Sequence, residues 1–306
     1  MTAKRVAALF KPSSVVLVGA SETPGSLGDI VRRNLIEGGF AGPVHFVNLH
    51  GGQIDGRTVH RSVLDLPEAP DLAVILTPAA TVPEIVGDCG RKGVRAAVVV
   101  SAGFREGGVP GAGYERQLRL QARKHGLRFL GPNSLGVIRT DIGLNASCGP
   151  SQPDKGRLAL VSESGALCAA ILDWARVRHV GFSSVISTGM GSDVEFGEIL
   201  DYLGRDPATD SIMLYLEGVD DARRLMSALR AAARVKPVVV MKAGRSSEGE
   251  DNLAFHTGSI VGGDDVFDAA MRRAGALRIR DFSQLYSAAG TLGSGVRVGG
   301  RRLAVV

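Results

Sequence analysis

Apolar residues recur along the first 130 positions in short aliphatic runs, at residues 15–18, 44–48, 72–77 and 96–101. Runs of this length, rich in Val, Leu and Ala and without alternation, predict strands buried on both faces, as in parallel sheets. Amphipathic segments separate them. Leu27, Ile30, Val31, Asn34 and Leu35 follow the i, i+3, i+4, i+7, i+8 spacing of one helix face. Helices are also predicted over 81–92 and 113–125, and Leu130 closes this half. Strand and helix in alternation give a doubly wound, Rossmann-like α/β domain, expected over residues 1–142. The polar Gly/Pro stretch 143–156, GLNASCGPSQPDKG, is where the boundary is expected. The pattern then restarts, with strands predicted at 158–162, 184–187, 211–216 and 238–242 and helices near 166–177, 193–203, 222–235 and 264–273. This predicts a second, flavodoxin-like parallel-sheet domain over 143–295. The tail ends RRLAVV, the pattern of a strand opening, so residues 296–306 are expected to begin a further, truncated domain.

Composition supports that picture. Hydrophobic residues make up 44% and aromatics 5%, an aliphatic balance that suits parallel sheets better than a β-sandwich. Lys and Arg number 36 against 31 Asp and Glu, a net charge of +5 scattered over helix faces. This predicts no nucleic-acid surface, but a mild positive field suits small polyanions. Three cysteines, far apart and without CxxC or Cys/His spacing, predict no disulfide framework and no bound metal, and fit a reducing cytoplasm. No run of about 18 apolar residues is present and the N-terminal stretch lacks a signal-peptide core, so no membrane association is expected.

Candidate chemistry first appears after strand one, where VVLVGASETPGSLG carries Gly19, Gly25 and Gly28 into a helix. In an open parallel sheet ligands bind beyond the carboxyl ends of the strands, and a helix N-terminus there offers N–H groups to phosphate. The spacing departs from G-x-G-x-x-G, and Asn48 stands where a dinucleotide fold needs an acidic residue, which weakens a nicotinamide reading. Small residues at the next strand ends, Thr77, Pro78 and Ala79, then Ser101, Ala102 and Gly103, leave a groove for an extended phosphate-bearing ligand.

A second constellation surrounds His256 in AFHTGSIVGGDD. With no Cys or second His at ligand spacing, metal binding is not expected. A ring nitrogen can attack a phosphoryl group itself, given a carboxylate on the other nitrogen and donors for the phosphoryl oxygens. Glu217, in LYLEGV, is the candidate carboxylate, and the strand-to-helix turn SESGA, residues 162–166, the candidate cradle. From composition alone, an ordinary loop histidine is the better reading of His256.

The ordered blocks VVLVGAS, TPAATVPE, KGVRAAVVVSAGF, GPNSLG, SESGAL, LYLEGV, KAGRS and FHTGSIVGGDDVFDAA span roughly residues 8–293. In this order they resemble the nucleoside-diphosphate-forming acyl-CoA synthetases, which include ADP-forming acetyl-CoA synthetase and, more distantly, succinyl-CoA synthetase. The resemblance implies a CoA-binding first domain with contacts near Gly19, Ser21, Gly25, Ser26, Gly28, Asn48, Pro78, Ser101 and Asn133. It implies that His256 is phosphorylated, that Glu217 supports it, and that Ser162, Ser164 and Gly165 contact phosphate. The implied reaction is acyl-CoA + phosphate + NDP ⇌ acid + CoA + NTP. ATP or ADP with Mg2+ would bind a separate ATP-grasp domain or β-type subunit, which these residues do not resemble, and the chain is expected to be an incomplete ligase and part of an oligomer. Glu163 stands where the family commonly has Gln, a negative charge beside the phosphate cradle. GPNSLG followed by GLNAS also resembles the synthetase-like, acyl-CoA-binding regulatory region of bacterial protein lysine acetyltransferases.

Overall fold

The computed structural model describes residues 2–150, 152–219, 221–244, 263–295 and 300. His256 and the tail 301–306 lie outside them. A first sheet is built from β1 (Val15–Val18), β2 (Val44–Val47), β3 (Gly52–Ile54), β4 (Arg57–His60), β5 (Leu72–Ile75), β6 (Ala96–Val99) and β7 (Arg128–Leu130), in the order β3-β4-β2-β1-β5-β6-β7. All its pairings are parallel except the β3–β4 hairpin at the edge. The helices α2 (Leu27–Glu37), α3 (Val82–Lys92) and α4 (Gly108–His125) connect these strands. The runs of β1, β5 and β6 are fully buried because helices cover both faces, which is why they carry no alternation.

The second sheet contains β8 (Gly136–Arg139), β9 (Leu144–Ser147), β10 (Lys155–Ser162), β11 (Phe182–Ser187), β12 (Ser211–Leu216), β13 (Val238–Lys242) and β14 (Leu277–Ile279), ordered β14-β13-β12-β10-β11-β8-β9. Its connections include α5 (Gly165–Arg178), α6 (Phe196–Leu203), α7 (Ala222–Ala233) and α8 (Asp264–Ala274), and α9 (Phe282–Gly293) packs against it. The β10–β14 part is parallel, and β8 and β9 add antiparallel strands at one edge.

The sheets divide the chain earlier than residue 142. The chain leaves the first sheet after β7, and β8 already pairs with β11. The polar stretch that reads as a linker contains β9, whose four residues are all buried. Ser147 and the nearby carbonyls find partners, while Asn145 Nδ2 is buried with none among the described residues. Ser147 Oγ donates to Asn145 Oδ1 at 2.6 Å, and Asn34 on α2 donates to the carbonyls of Ser147 at 2.9 Å and Gly149 at 3.0 Å. Small polar residues that close most of their own hydrogen bonds pack as a strand despite their loop-like composition.

The two sheets share one hydrophobic core, since Leu17, Val74 and Val98 belong to the same buried cluster as Val137, Val161 and Leu214. An N-terminal helix, α1 (Thr2–Phe10), inserts Val6, Leu9 and Phe10 into it, and the Phe10 ring lies 4.7 Å from that of Tyr202 on α6. Beside it Arg139 is fully buried. It donates to Asp206 at 2.6 Å, Ser184 at 3.1 Å and Asp141 at 2.9 and 3.0 Å, so its charge and donors are matched.

Candidate functional site

The loop that follows β1 is closed by its own groups. Gly19 takes φ +96°, and a Cβ on Gly28 would lie 2.4 Å from the Gly19 carbonyl oxygen, so only glycine lets α2 start this close to the strand. Ser26 caps α2, accepting from Asp29 N at 3.2 Å, while Asp29 Oδ2 accepts from Gly25 N at 3.2 Å. Hydrogen bonding to Arg32 holds the Asp29 carboxyl below its ordinary range, against the opposing effect of burial. Asn48 ties the end of β2 to this loop, donating to Ala20 O at 2.8 Å and accepting from His50 N at 3.1 Å. Gly19, Ser21, Gly25, Ser26, Gly28, Asn48 and Pro78 therefore form one rim, at the carboxyl ends of β1, β2 and β5.

The other predicted residues meet elsewhere. A cleft of about 530 Å³ between the two sheets is lined by Ser101, Asn133, Ser164, Gly165 and Glu217. These come from the ends of β6 and β12, the turn after β7 and the first turn of α5. Leu27, at the start of α2, also lines it and links it to the rim. Ser101 Oγ donates to Thr77 O at 2.5 Å and its carbonyl accepts from Asn133 N at 2.9 Å, which fixes the turn after β7. Asn133 itself has φ +57° and an exposed side chain.

At the far wall stands the N-terminus of α5. Ser164 caps it, accepting from Leu167 N at 3.2 Å. Gly165 and Ala166 come next, and no acceptor among the described residues takes their N–H groups. With the dipole of a 14-residue helix behind them, these donors favour an anion. Ser162 does not reach the cleft. It is fully buried, and its hydroxyl both accepts from Ser164 N and donates to Ser164 O at 3.0 Å, which shapes the turn.

Glu163 turns its carboxylate toward the loop after β12, where Oε2 accepts from the N–H groups of Glu217 and, at 3.0 Å, of Gly218. Glu217 also lines the cleft. Burial, with the charges of Glu217 and Glu163, pushes the neighbouring Tyr215 phenol up to about 12. The expected contact between Glu217 and His256 falls outside the described residues.

Several lining residues were not visible as site residues in the sequence. Leu135 and Cys148 flank the antiparallel β8–β9 pair, Cys148 in the stretch that resembles a linker, and Met190 lies in a glycine turn. Burial raises the Cys148 thiol above its ordinary range. Cys89 and Cys168 are core thiols, pushed up to about 12 by burial. Among the described residues no cluster of His, Cys, Asp and Glu is placed to hold a metal, and no helix is long and apolar enough to cross a membrane.

Two family models match the chain in succession, the first running through β8. Residues 13–140 match the family model of a CoA binding domain, and residues 155–292 that of a succinyl-CoA ligase like flavodoxin domain. The acetate–CoA ligase [ADP-forming] I subunit alpha of Pyrococcus furiosus is 44% identical over 275 residues, which are 89% of this chain and 60% of that protein. Acetate–CoA ligase [ADP-forming] I of Archaeoglobus fulgidus is 43% identical over 91% of this chain and 40% of its own length. Among solved structures, the dinucleotide forming acetyl-coenzyme A synthetase 1 of Ca. Korarchaeum cryptofilum, in complex with phosphate and ADP, superposes with a TM-score of 0.91 at 34% identity, covering 96% of this chain and 64% of that one. The chain thus spans 40–64% of the length of these three relatives.

Proposed function

The chain belongs to the NDP-forming acyl-CoA synthetase family, with its CoA binding domain followed by its ligase-type flavodoxin domain, and we propose that it carries the acyl-CoA and phosphoryl half of that chemistry. The observation that carries this reading is the cleft. It brings the ends of β6 and β7, on the CoA side, to the N–H groups of Gly165 and Ala166 and to Glu217.

The rim at Gly19–Gly28 and the strand ends at Asn48 and Pro78 hold the CoA phosphates and adenosine, and the thioester enters the cleft past Ser101 and Asn133. Inorganic phosphate sits on the N-terminus of α5. One of its oxygens attacks the thioester carbonyl, the C–S bond breaks and CoA leaves as the thiolate, which takes a proton. The product is an acyl phosphate. A ring nitrogen of His256 then attacks phosphorus, the P–O bond to the acyl group breaks and the carboxylate leaves. Glu217 holds the other ring nitrogen and stabilises the imidazolium that forms. Transfer onward to a nucleoside diphosphate takes place at an ATP-grasp domain or β-type subunit that binds the nucleotide with Mg2+. Little covalent work falls to the protein beyond the histidine, so positioning and N–H donors at the phosphoryl oxygens supply most of the acceleration.

The relatives compared above are CoA ligases, which does not favour the second reading, a regulatory region of a lysine acetyltransferase.

The test needs no partner. The chain is mixed with acetyl-CoA and radiolabelled inorganic phosphate, and protein-bound label is followed. Acid-labile, base-stable label that requires acetyl-CoA and vanishes in His256→Gln is expected. A chain that binds CoA in calorimetry but takes no label with acetyl-CoA, or with other short acyl-CoA thioesters, refutes the ligase reading and leaves CoA binding standing.

A further inference from the structure

We infer that Glu163 is a positioning residue that acts on the phosphoryl-transfer site through the backbone of Glu217. This rests on the proposed reaction, in which Glu217 serves the phosphoryl-accepting histidine.

The geometry is that of a strand ladder continued by a side chain. β10 and β12 pair in parallel as far as Ser162 against Tyr215, and Glu163 N donates to Tyr215 O at 3.3 Å. There the ladder ends, because the chain after Ser162 turns into α5 and the chain after Leu216 turns away toward α7. The N–H groups of Glu217 and Gly218 would be left beyond the sheet edge. The Glu163 carboxylate takes both with a single oxygen. A charged acceptor on two backbone donors makes bonds roughly twice as strong as neutral ones. Gly218 is buried and Glu163 and Glu217 are half-buried, so water competes poorly for these donors.

The consequence falls on Glu217. Its N–H and that of the next residue are both fixed, which fixes the Cα–Cβ direction of a residue that lines the cleft. Glu163 itself lines the cleft, so its charge stays beside the phosphate cradle with one oxygen engaged by these bonds. The Glu163 oxygen that accepts them faces the β12 turn, and the free donors of Gly165 and Ala166 remain for phosphate. In this chain the turn after β12 is therefore not part of the phosphate cradle, because its donors already hold a carboxylate.

The experiment uses the acyl-CoA-dependent labelling of the chain, read as the rate constant and as the half-saturating phosphate and acetyl-CoA concentrations. Glu163→Ala should slow labelling 10–100-fold, the cost usual for an outer-shell partner of a reacting group. Half-saturating concentrations should stay within about threefold of wild type, since the α5 donors are untouched. Glu163→Gln keeps an oxygen acceptor for the same two N–H groups and should restore the rate to within about threefold. Glu217→Gln should slow labelling about 100-fold or more, and the double variant Glu163→Ala/Glu217→Gln should be no slower, because the two act as one unit. Thermal melts of each variant separate folding from chemistry.

Three results overturn the inference. One is a Glu163→Ala variant that labels like wild type. Another is a Glu163→Ala loss that lies wholly in half-saturating phosphate. The third is a double variant whose losses multiply. If Glu163→Ala does not fold, Glu163→Gln decides alone, and a rate that falls tenfold or more with its fold intact refutes the positioning role. Absence of label in the wild type counts instead against the proposed function and leaves the bonds from Glu163 unexplained by it.

Discussion

Arg139 is a fully buried charge, and its partners show how single residues govern this structure. Burial by itself would lower the Arg139 guanidinium, but its hydrogen bonds to Asp141 and Asp206 outweigh it and raise its affinity for the proton. Burial likewise works against the Asp206 carboxylate, and the Arg139 hydrogen bond overcomes it and holds Asp206 below the usual carboxylate range. A depressed folded-state value means that this contribution is complete above the unfolded value, about 3.9, and is lost as pH falls through the folded one. Urea midpoints measured from pH 7 downward should hold until about pH 4 and then fall, with Asp206→Asn flattening part of that decline. Removing one partner leaves the other charge buried, so Arg139→Met should cost about 3–5 kcal/mol in urea denaturation. The sequence offers no hint of this pair, because residues 139 and 206 meet only through the pairing of β8 with β11. Glu163 was legible differently. As one acidic residue in an otherwise matching block it stands out in the sequence, but only the structure shows which donors it reaches.

Secondary structure divides into elements that carry their own signal and elements that do not. β1, β5, β6, β12 and β13 are uninterrupted aliphatic runs, and the sequence places them within a residue or two at each end. β9 is Leu-Asn-Ala-Ser, and nothing local distinguishes it from a loop, since its burial comes from α2 and β8. α1 is not anticipated from the sequence, and its apolar face finds its partners only between the sheets, against α6. Phe10, fully buried there, is predicted to lower stability by about 3–5 kcal/mol when replaced by Ala, measured as the shift in denaturant midpoint at constant slope. A loss below about 1 kcal/mol would mean that α1 is peripheral to the core.

Over the whole molecule, the shared core has a thermodynamic consequence. Apolar side chains from both sheets pack in one cluster, with α1 between them, so neither sheet keeps a closed core without the other. Unfolding should then be a single cooperative transition. Trp174, the one tryptophan, reports on the second half, and the thiol of Cys89, buried under the first sheet, reports on the other. Fluorescence and thiol-reactivity curves in urea should coincide, and two separated transitions would show that the halves fold independently. The same docking makes the site, because the cleft walls come from β6 and β7 on one side and from α5 and β12 on the other.

By itself the sequence determined the two α/β halves, the parallel character of their aliphatic strands and the residue types gathered at the strand ends. Local periodicity and turn chemistry carry that information, and each can be read within about 15 residues. Only the tertiary structure decided that residues 131–150 belong to the second sheet, that Ser162 faces inward, and that Ser101 and Asn133 stand across one cleft from Gly165 and Glu217. Those facts depend on strand pairing and on how one sheet docks against the other, contacts between positions some tens of residues apart that leave no periodic trace in the chain.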